Sequence, residues 1–426
     1  MDRISLLPDE LLLRILSLLP TTKDVVATMV LSQRWLPLWK LMPKLVYDDS
    51  NQNIEYAKFS RFVDRSLIFH EAPLDTLHFK LVQNSSAADV GMWTVVAVKR
   101  CVRELHIESS PSTTPVTLPR SFYTGCAALV TLKLKSVTLV DVSSLPSFLT
   151  LKAFSLLRVK FPGDAFRYDY GFNIVKRLFS SYHVLQYLEV GRLEIDNVTV
   201  FTVIVPSLKT LKLGRISRKV KDGAHGFVVD APLLEIFLIH DYMGGFCVIK
   251  NDMPKIVRAG FSVTYSQPRK LMSCITSVKC LTLCLSTSNE VYPVGTVFHN
   301  LVLLRLCTCQ EEWLNLLMCM LRGCPNLQYL RFFQYHKPPT AEPHPCWKEP
   351  SSVPRCLLSS LETLTWANYE GREEQKQVAA FILRSANFLK KATISSKATD
   401  PKEKLEMIKE LSSSPRRSPT CQLIFY

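Results

Sequence analysis

One short apolar pattern recurs along most of the chain and limits what the chain can fold into. From about residue 70, an apolar residue, two others, a second apolar residue, one other and a third apolar residue come round thirteen times. The first copies are Leu74-Leu77-Phe79, Val102-Leu105-Ile107, Leu129-Leu132-Leu134 and Leu151-Phe154-Leu156. Leu185-Leu188-Val190, Leu208-Leu211-Leu213 and Leu234-Phe237-Ile239 follow, then a weak copy at Ile256-Ala259-Phe261. The series continues through Val278-Leu281-Leu283, Leu301-Leu304-Leu306, Leu327-Leu330-Phe332 and Leu361-Leu364-Trp366 to Leu389-Ala392-Ile394. Alternate residues of a strand point to opposite faces, so each copy offers one short strand with a single apolar face. One such strand cannot bury that face alone; stacked copies make a parallel sheet over a continuous core.

The middle positions of successive copies lie 22 to 34 residues apart, from Leu132 to Phe154 at the short end and from Phe154 to Leu188 at the long end. Most of these steps fall in or near the range of roughly 20–29 residues typical of a leucine-rich repeat. Helical spacing appears between strands, as in Trp313, Leu314, Leu317, Met318 and Leu321. The predicted body is therefore an irregular leucine-rich repeat solenoid over residues 70–340. With 47% hydrophobic residues among 426, the chain can bury a large core. No run of 18 apolar residues occurs, so no membrane span is predicted.

The N-terminus has a different problem. Pro8 and Asp9 start a helix whose residues 10–19 leave only Glu10, Arg14 and Ser17 as a polar stripe. At 100° per residue, Leu11, Leu12, Leu13, Ile15, Leu16, Leu18 and Leu19 cover about 220° of arc, where a surface helix needs roughly 100°. One apolar face can pack on the helix's own domain; the other requires a second surface. Two short helices follow, one with Val25, Val26, Met29 and Val30, and one that Ser32 can cap, with Trp35, Leu38, Trp39 and Leu41.

The Leu7-Pro8 pair, Glu10, Ile15, Leu19-Pro20, Asp24, Val30-Leu31-Ser32, Arg34-Trp35 and Leu38-Trp39 stand in the order and spacing of a plant F-box. Residues 1–47 thus resemble that three-helix domain. Pro37 departs from the pattern and predicts a kink or a late start of the third helix. The resemblance implies docking on a Skp-like adaptor, and through it on a cullin and its RING subunit. Its implied adaptor contacts are Leu7, Pro8, Glu10, Leu11, Ile15, Leu16, Val30, Leu31 and Trp35.

Pro and polar residues cluster at 337–354, which reads as a loop or boundary. Beyond it, Pro354, Cys356, Leu357, Leu361, Tyr369, Gly371, Glu374, Arg417, Ser418, Pro419, Cys421 and Phe425 match the landmarks of an FBD domain. Residues 345–426 thus resemble the module that closes many plant F-box/leucine-rich repeat proteins. They read as strand, helix, strand, helix, strand, with Val378, Phe381, Ile382 and Leu389 as one inner face and Leu405, Ile408 and Leu411 as the next. Such a module suits a cap over the last repeat. The whole is an α/β chain: F-box, solenoid with a parallel sheet, and FBD-like cap.

No catalytic motif emerges. Neither a phosphate-binding loop nor a nucleophile elbow occurs, Gly244-Gly245 is too little for a phosphate cradle, and Glu311-Glu312 and Glu373-Glu374 suit helix starts. The reading is a non-enzyme that requires no cofactor. The net charge of +15 is dispersed, Arg416-Arg417 being only a pair, which favours a solvated basic surface over a nucleic-acid site. Asp9, Glu10 and Arg14 interrupt the N-terminal apolar stretch, so it is not read as a secretion signal, and the 13 cysteines are expected as thiols in the cytoplasm or nucleus. Cys307 with Cys309, Cys319 with Cys324, Cys280 with Cys284, and His336, His344 and Cys346 lack zinc-finger spacing, and structural thiols are expected.

The function implied is a substrate-recognition subunit of a Skp–cullin–F-box ubiquitin ligase. Residues between the inward positions face the concave side, which gives Lys133, Lys135, Lys212, Arg305, Arg331 and Phe333 as target contacts, suited to an acidic or phosphorylated segment. The alternatives are an adaptor-binding protein that assembles no ligase, and a small-molecule receptor with its pocket on the concave face.

Overall fold

The computed structural model describes residues 4, 6–50, 55–83, 85–110, 116–139, 148–161, 179, 182–193, 198–216, 225–242, 244–265, 268–285, 295–310, 312–336 and 347–426. It divides into two compact units, 1–208 with 214–217, and 209–213 with 218–426.

All thirteen apolar triplets are buried. In the first unit the strands Lys44–Asp48, Thr76–Leu81, Glu104–Ser109, Thr131–Lys135, Ala153–Leu157 and Tyr187–Leu193 pair in parallel, each with the next. In the second unit Ile236–Asp241, Arg258–Val263, Cys280–Leu285, Leu303–Cys307, Tyr329–Phe333, Thr363–Tyr369, Lys391–Ser396 and Gln422–Phe425 do the same. The weak copy at Ile256-Ala259-Phe261 is a full member.

One hydrogen-bond motif marks the repeat. The carbonyl of the residue just before a strand accepts from two successive amides of the following unit. Asp75 O accepts from Arg103 N and Glu104 N, both at 2.9 Å, and Lys279 O accepts from Val302 N and Leu303 N at 2.9 and 3.0 Å. Two amides thus fix a new strand at its first residues, and the apolar face follows from that register.

The same motif extends the sheet at both ends. Pro43 O accepts from Asp75 N and Thr76 N, so the sheet begins at Lys44–Asp48, ahead of the expected residue 70. Met42, Leu45 and Tyr47 are an overlooked fourteenth triplet, all buried. At the other end Glu362 O accepts from Lys390 N and Lys391 N. The FBD-like module therefore continues the register rather than covering the last strand.

Step length sets what returns the chain between strands. The 28-residue steps from Leu77 to Leu105 and from Leu364 to Ala392 hold the 13-residue helices Ala87–Lys99 and Glu373–Ser385. The 22-residue step from Phe237 to Ala259 holds only the strand Phe246–Ile249, paired with Gly226–Asp230. The expected helical face at 313–321 forms in Trp313–Gly323, with Trp313, Leu314, Leu317 and Leu321 buried. The last helix, Pro401–Ser413, departs from expectation: only Leu411 is buried, and Leu405 is exposed. It returns to Gln422–Phe425, after which no further unit of the described chain covers its outer side.

At the N-terminus Asp9–Leu16 and Thr22–Ala27 are helical. The third helix is replaced by two separate 3-10 turns, Gln33–Trp35 and Leu38–Leu41, with Pro37 heading the second. Pro37 brings no N–H to bond the carbonyl of Gln33, which explains the break. Ser32 makes no capping bond here.

Candidate interaction surfaces and a cysteine cluster

The first helix shows how the N-terminal domain spends its apolar residues. Leu12 and Leu16 turn inward beside Val25, Trp35, Leu38 and Trp39, all buried. Leu16 and Trp35, expected at the adaptor, are thus core residues; so small a helical cluster needs its largest side chains inside. The other half of the apolar arc stays out, with Leu11 and Ile15 exposed; the helix ends at Leu16, earlier than expected, and Leu18 in the turn after it is 81% exposed. Leu6, Val30 and Leu31 are exposed as well, Val30 at 87%. Leu7 is half-buried, Pro8 and Glu10 exposed. Arg34 holds this end of the helix: its Nη2 donates to Leu7 O at 2.5 Å and to Asp9 Oδ1 at 2.9 Å.

The domain is tied to the sheet. Val46 N donates to Thr22 Oγ1 at 2.7 Å, and Glu71 N and Ala72 N both donate to Lys40 O. Its outer face is therefore presented from a fixed base.

The outward strand positions of the two units carry different charges. In the first, charges of opposite sign alternate. Lys80 pairs with Asp48 at 2.9 Å and Lys135 pairs with Glu108. Lys133 is exposed at the rim of a 590 Å3 cleft that also holds His78, His106, Ser155, Tyr187 and Glu189. Burial, with Lys133, His78 and Lys44 around it, pushes the His106 imidazole down to about 4. In the second unit Arg305 and Arg331 are exposed and sit side by side in register, with Thr282 and Thr365 beyond them. Neither arginine has an ion-pair partner among the described residues. Of the other expected target contacts, Lys212 is half-buried and has a partner of its own. Phe333 is only partly exposed, because it packs on a group of cysteines.

That group is Cys284, Cys307 and Cys309. Their sulfurs all lie within 4.8 Å of one another, and all three residues are buried. Cys309 Sγ is 2.7 Å from Cys307 Sγ and 3.7 Å from Cys284 Sγ. Tyr242 packs against them, and the His336 ring stands edge-on to Tyr242 with centroids 4.1 Å apart. All twelve described cysteines are free; Cys346 and His344 lie outside the described residues.

Known proteins account for this architecture. The F-box domain family model matches residues 4–47, and the FBD family model matches residues 349–394. A probable FBD-associated F-box protein of Arabidopsis thaliana is 54% identical over 430 residues, covering 100% of both chains. This chain belongs to the FBD-associated F-box proteins. An Arabidopsis F-box/FBD/LRR-repeat protein is 45% identical over 428 residues, 100% of this chain and 99% of the relative. A putative FBD-associated F-box protein from the same plant is 54% identical over 417 residues, with 96% and 100% covered.

In this F-box protein the surplus apolar arc was visible in the sequence, but which half of it faces outward was not. The cysteine group was missed, since Cys284 stands in a different repeat from the other two. The signal was there: Cys284 to Cys307 is 23 residues, the same step as Leu281 to Leu304.

Proposed function

We propose that this F-box protein receives substrates for a Skp–cullin–F-box ubiquitin ligase. The observation that carries the reading is the apolar surface of Leu6, Leu11, Ile15, Leu18, Val30 and Leu31 on a domain of some forty residues. So many exposed apolar groups in so short a segment are the mark of a surface meant for a partner. The partner is a Skp-like adaptor, which brings cullin and RING subunits. Ubiquitin transfer then follows from proximity, and the covalent chemistry belongs to the partners. The target is held by the repeat body, with Arg305 and Arg331 offered to an acidic or phosphorylated segment. The setting is the cytoplasm or nucleus.

The test is capture of a Skp-like adaptor by the full chain. Ile15→Asp places a charge on a surface that must be desolvated, and Leu7→Ala with Pro8→Ala removes the lead-in to the helix. Both variants should lose the adaptor while keeping the wild-type melting transition of the repeats. Undiminished capture by both would overturn the reading. Arg305→Glu with Arg331→Glu should leave adaptor binding intact and change which other proteins are recovered.

The concave cleft of the first unit favours a second reading, a receptor for a small polar molecule. Its walls present both imidazoles and charges of both signs, the few convergent polar groups a ligand site needs. Screening polar metabolites for one that raises the melting temperature of wild type, but not of Lys133→Ala, separates it from the first reading.

A further inference from the structure

Cys284, Cys307 and Cys309 come from two successive strands and the turn after the second. Apolar packing gives no reason for three thiols to converge, since neighbouring units fill the same space with other side chains. Divalent zinc binds thiolate sulfur at about 2.3 Å with tetrahedral geometry, which sets sulfurs about 3.8 Å apart. The 3.7 Å between Cys284 and Cys309 already matches that edge. The 2.7 Å between Cys307 and Cys309 must open by about 1 Å, within reach of side-chain rotation. Two further features fit an ion held by thiolates. Gln310 Nε2 faces the Cys284 and Cys309 sulfurs at 4.0 and 3.9 Å. The His336 Nε2 is buried with no hydrogen-bond partner among the described residues.

We propose that Cys284, Cys307 and Cys309 bind one zinc ion as thiolates, with the His336 imidazole turning in as the fourth ligand. Three thiolates and a neutral imidazole leave no open position, so the site is structural. It clamps the strands Cys280–Leu285 and Leu303–Cys307 to the end of Tyr329–Phe333, close to the exposed Arg305 and Arg331. Three protons leave with binding, so the site empties as pH falls.

The full chain, purified under reducing conditions without added metal, should carry one equivalent of zinc by elemental analysis. Exchange to cobalt should give an intense thiolate-to-metal absorption near the ultraviolet and visible bands of a tetrahedral ion. Cys284→Ser should lose the metal and His336→Ala should bind it more weakly, while Cys280→Ser, at the start of the strand that carries Cys284, keeps the full equivalent. Because a cysteine variant can fail to fold, the cobalt spectrum of the unaltered chain decides independently. A metal-free chain that takes up no cobalt overturns the proposal. So does a chain in which Cys307 and Cys309 are recovered as a disulfide, or one whose zinc survives unchanged in Cys284→Ser.

Discussion

The F-box and the repeat body solve the same burial problem in opposite ways. Each repeat triplet is buried because the next unit supplies the missing half of its environment. Among the described residues the F-box has no such neighbour on its outer side, and Leu6, Leu11, Ile15, Leu18, Val30 and Leu31 stay in solvent. On the proposed reading, an apolar side chain in the repeats therefore measures stability, whereas one on the outer F-box face measures association.

The largest effect should come from removing the neighbours. A chain cut after Val353 loses the three strands that continue the register. It uncovers the buried Leu330 and Phe332 beside an open strand edge. It should aggregate on expression, and a soluble 1–353 fragment with a cooperative melt would show that the repeats need no such continuation.

Next come single core residues. Leu281→Ala should cost about 2–5 kcal/mol and Trp35→Ala about 3–5 kcal/mol, read by chemical denaturation. The two should differ in consequence. Leu281→Ala weakens the repeat transition and leaves adaptor capture intact. Trp35→Ala unfolds the small helical cluster and abolishes capture while the repeats still melt as in wild type.

Smaller again is the change on the outer face. Leu18→Ser and Val30→Ser should alter stability by only about 0.5 kcal/mol or less yet lower adaptor affinity about tenfold or more, by titration calorimetry. A large loss of stability with unchanged affinity would reverse the comparison drawn here.

The smallest effect concerns the first unit's cleft. His106 falls from 6.5 to about 4 on folding, so the unfolded chain takes up its proton first as pH drops. Its contribution is complete above 6.5 and declines as pH falls from 6.5 toward 4. His106→Asn should lose less melting temperature than wild type between pH 7 and pH 5. Parallel losses would mean that His106 is not held neutral by the fold.

Much of this was legible from residue order alone. The triplets locate thirteen strands because a strand with one apolar face must alternate, and the apolar arc on residues 10–19 is wider than one packing face can bury. Pro37 announced the broken third helix. Tertiary structure decided the rest, since burial and proximity depend on neighbours distant in sequence. It turned Leu16 and Trp35 inward while leaving Ile15 and Val30 outside, and it extended the sheet back to Lys44–Asp48. It also paired Lys135 with Glu108 while leaving Arg305 and Arg331 without an ion-pair partner among the described residues. Sheet register placed Cys284 beside Cys307: a parallel sheet sets side by side residues that the chain keeps one whole repeat apart.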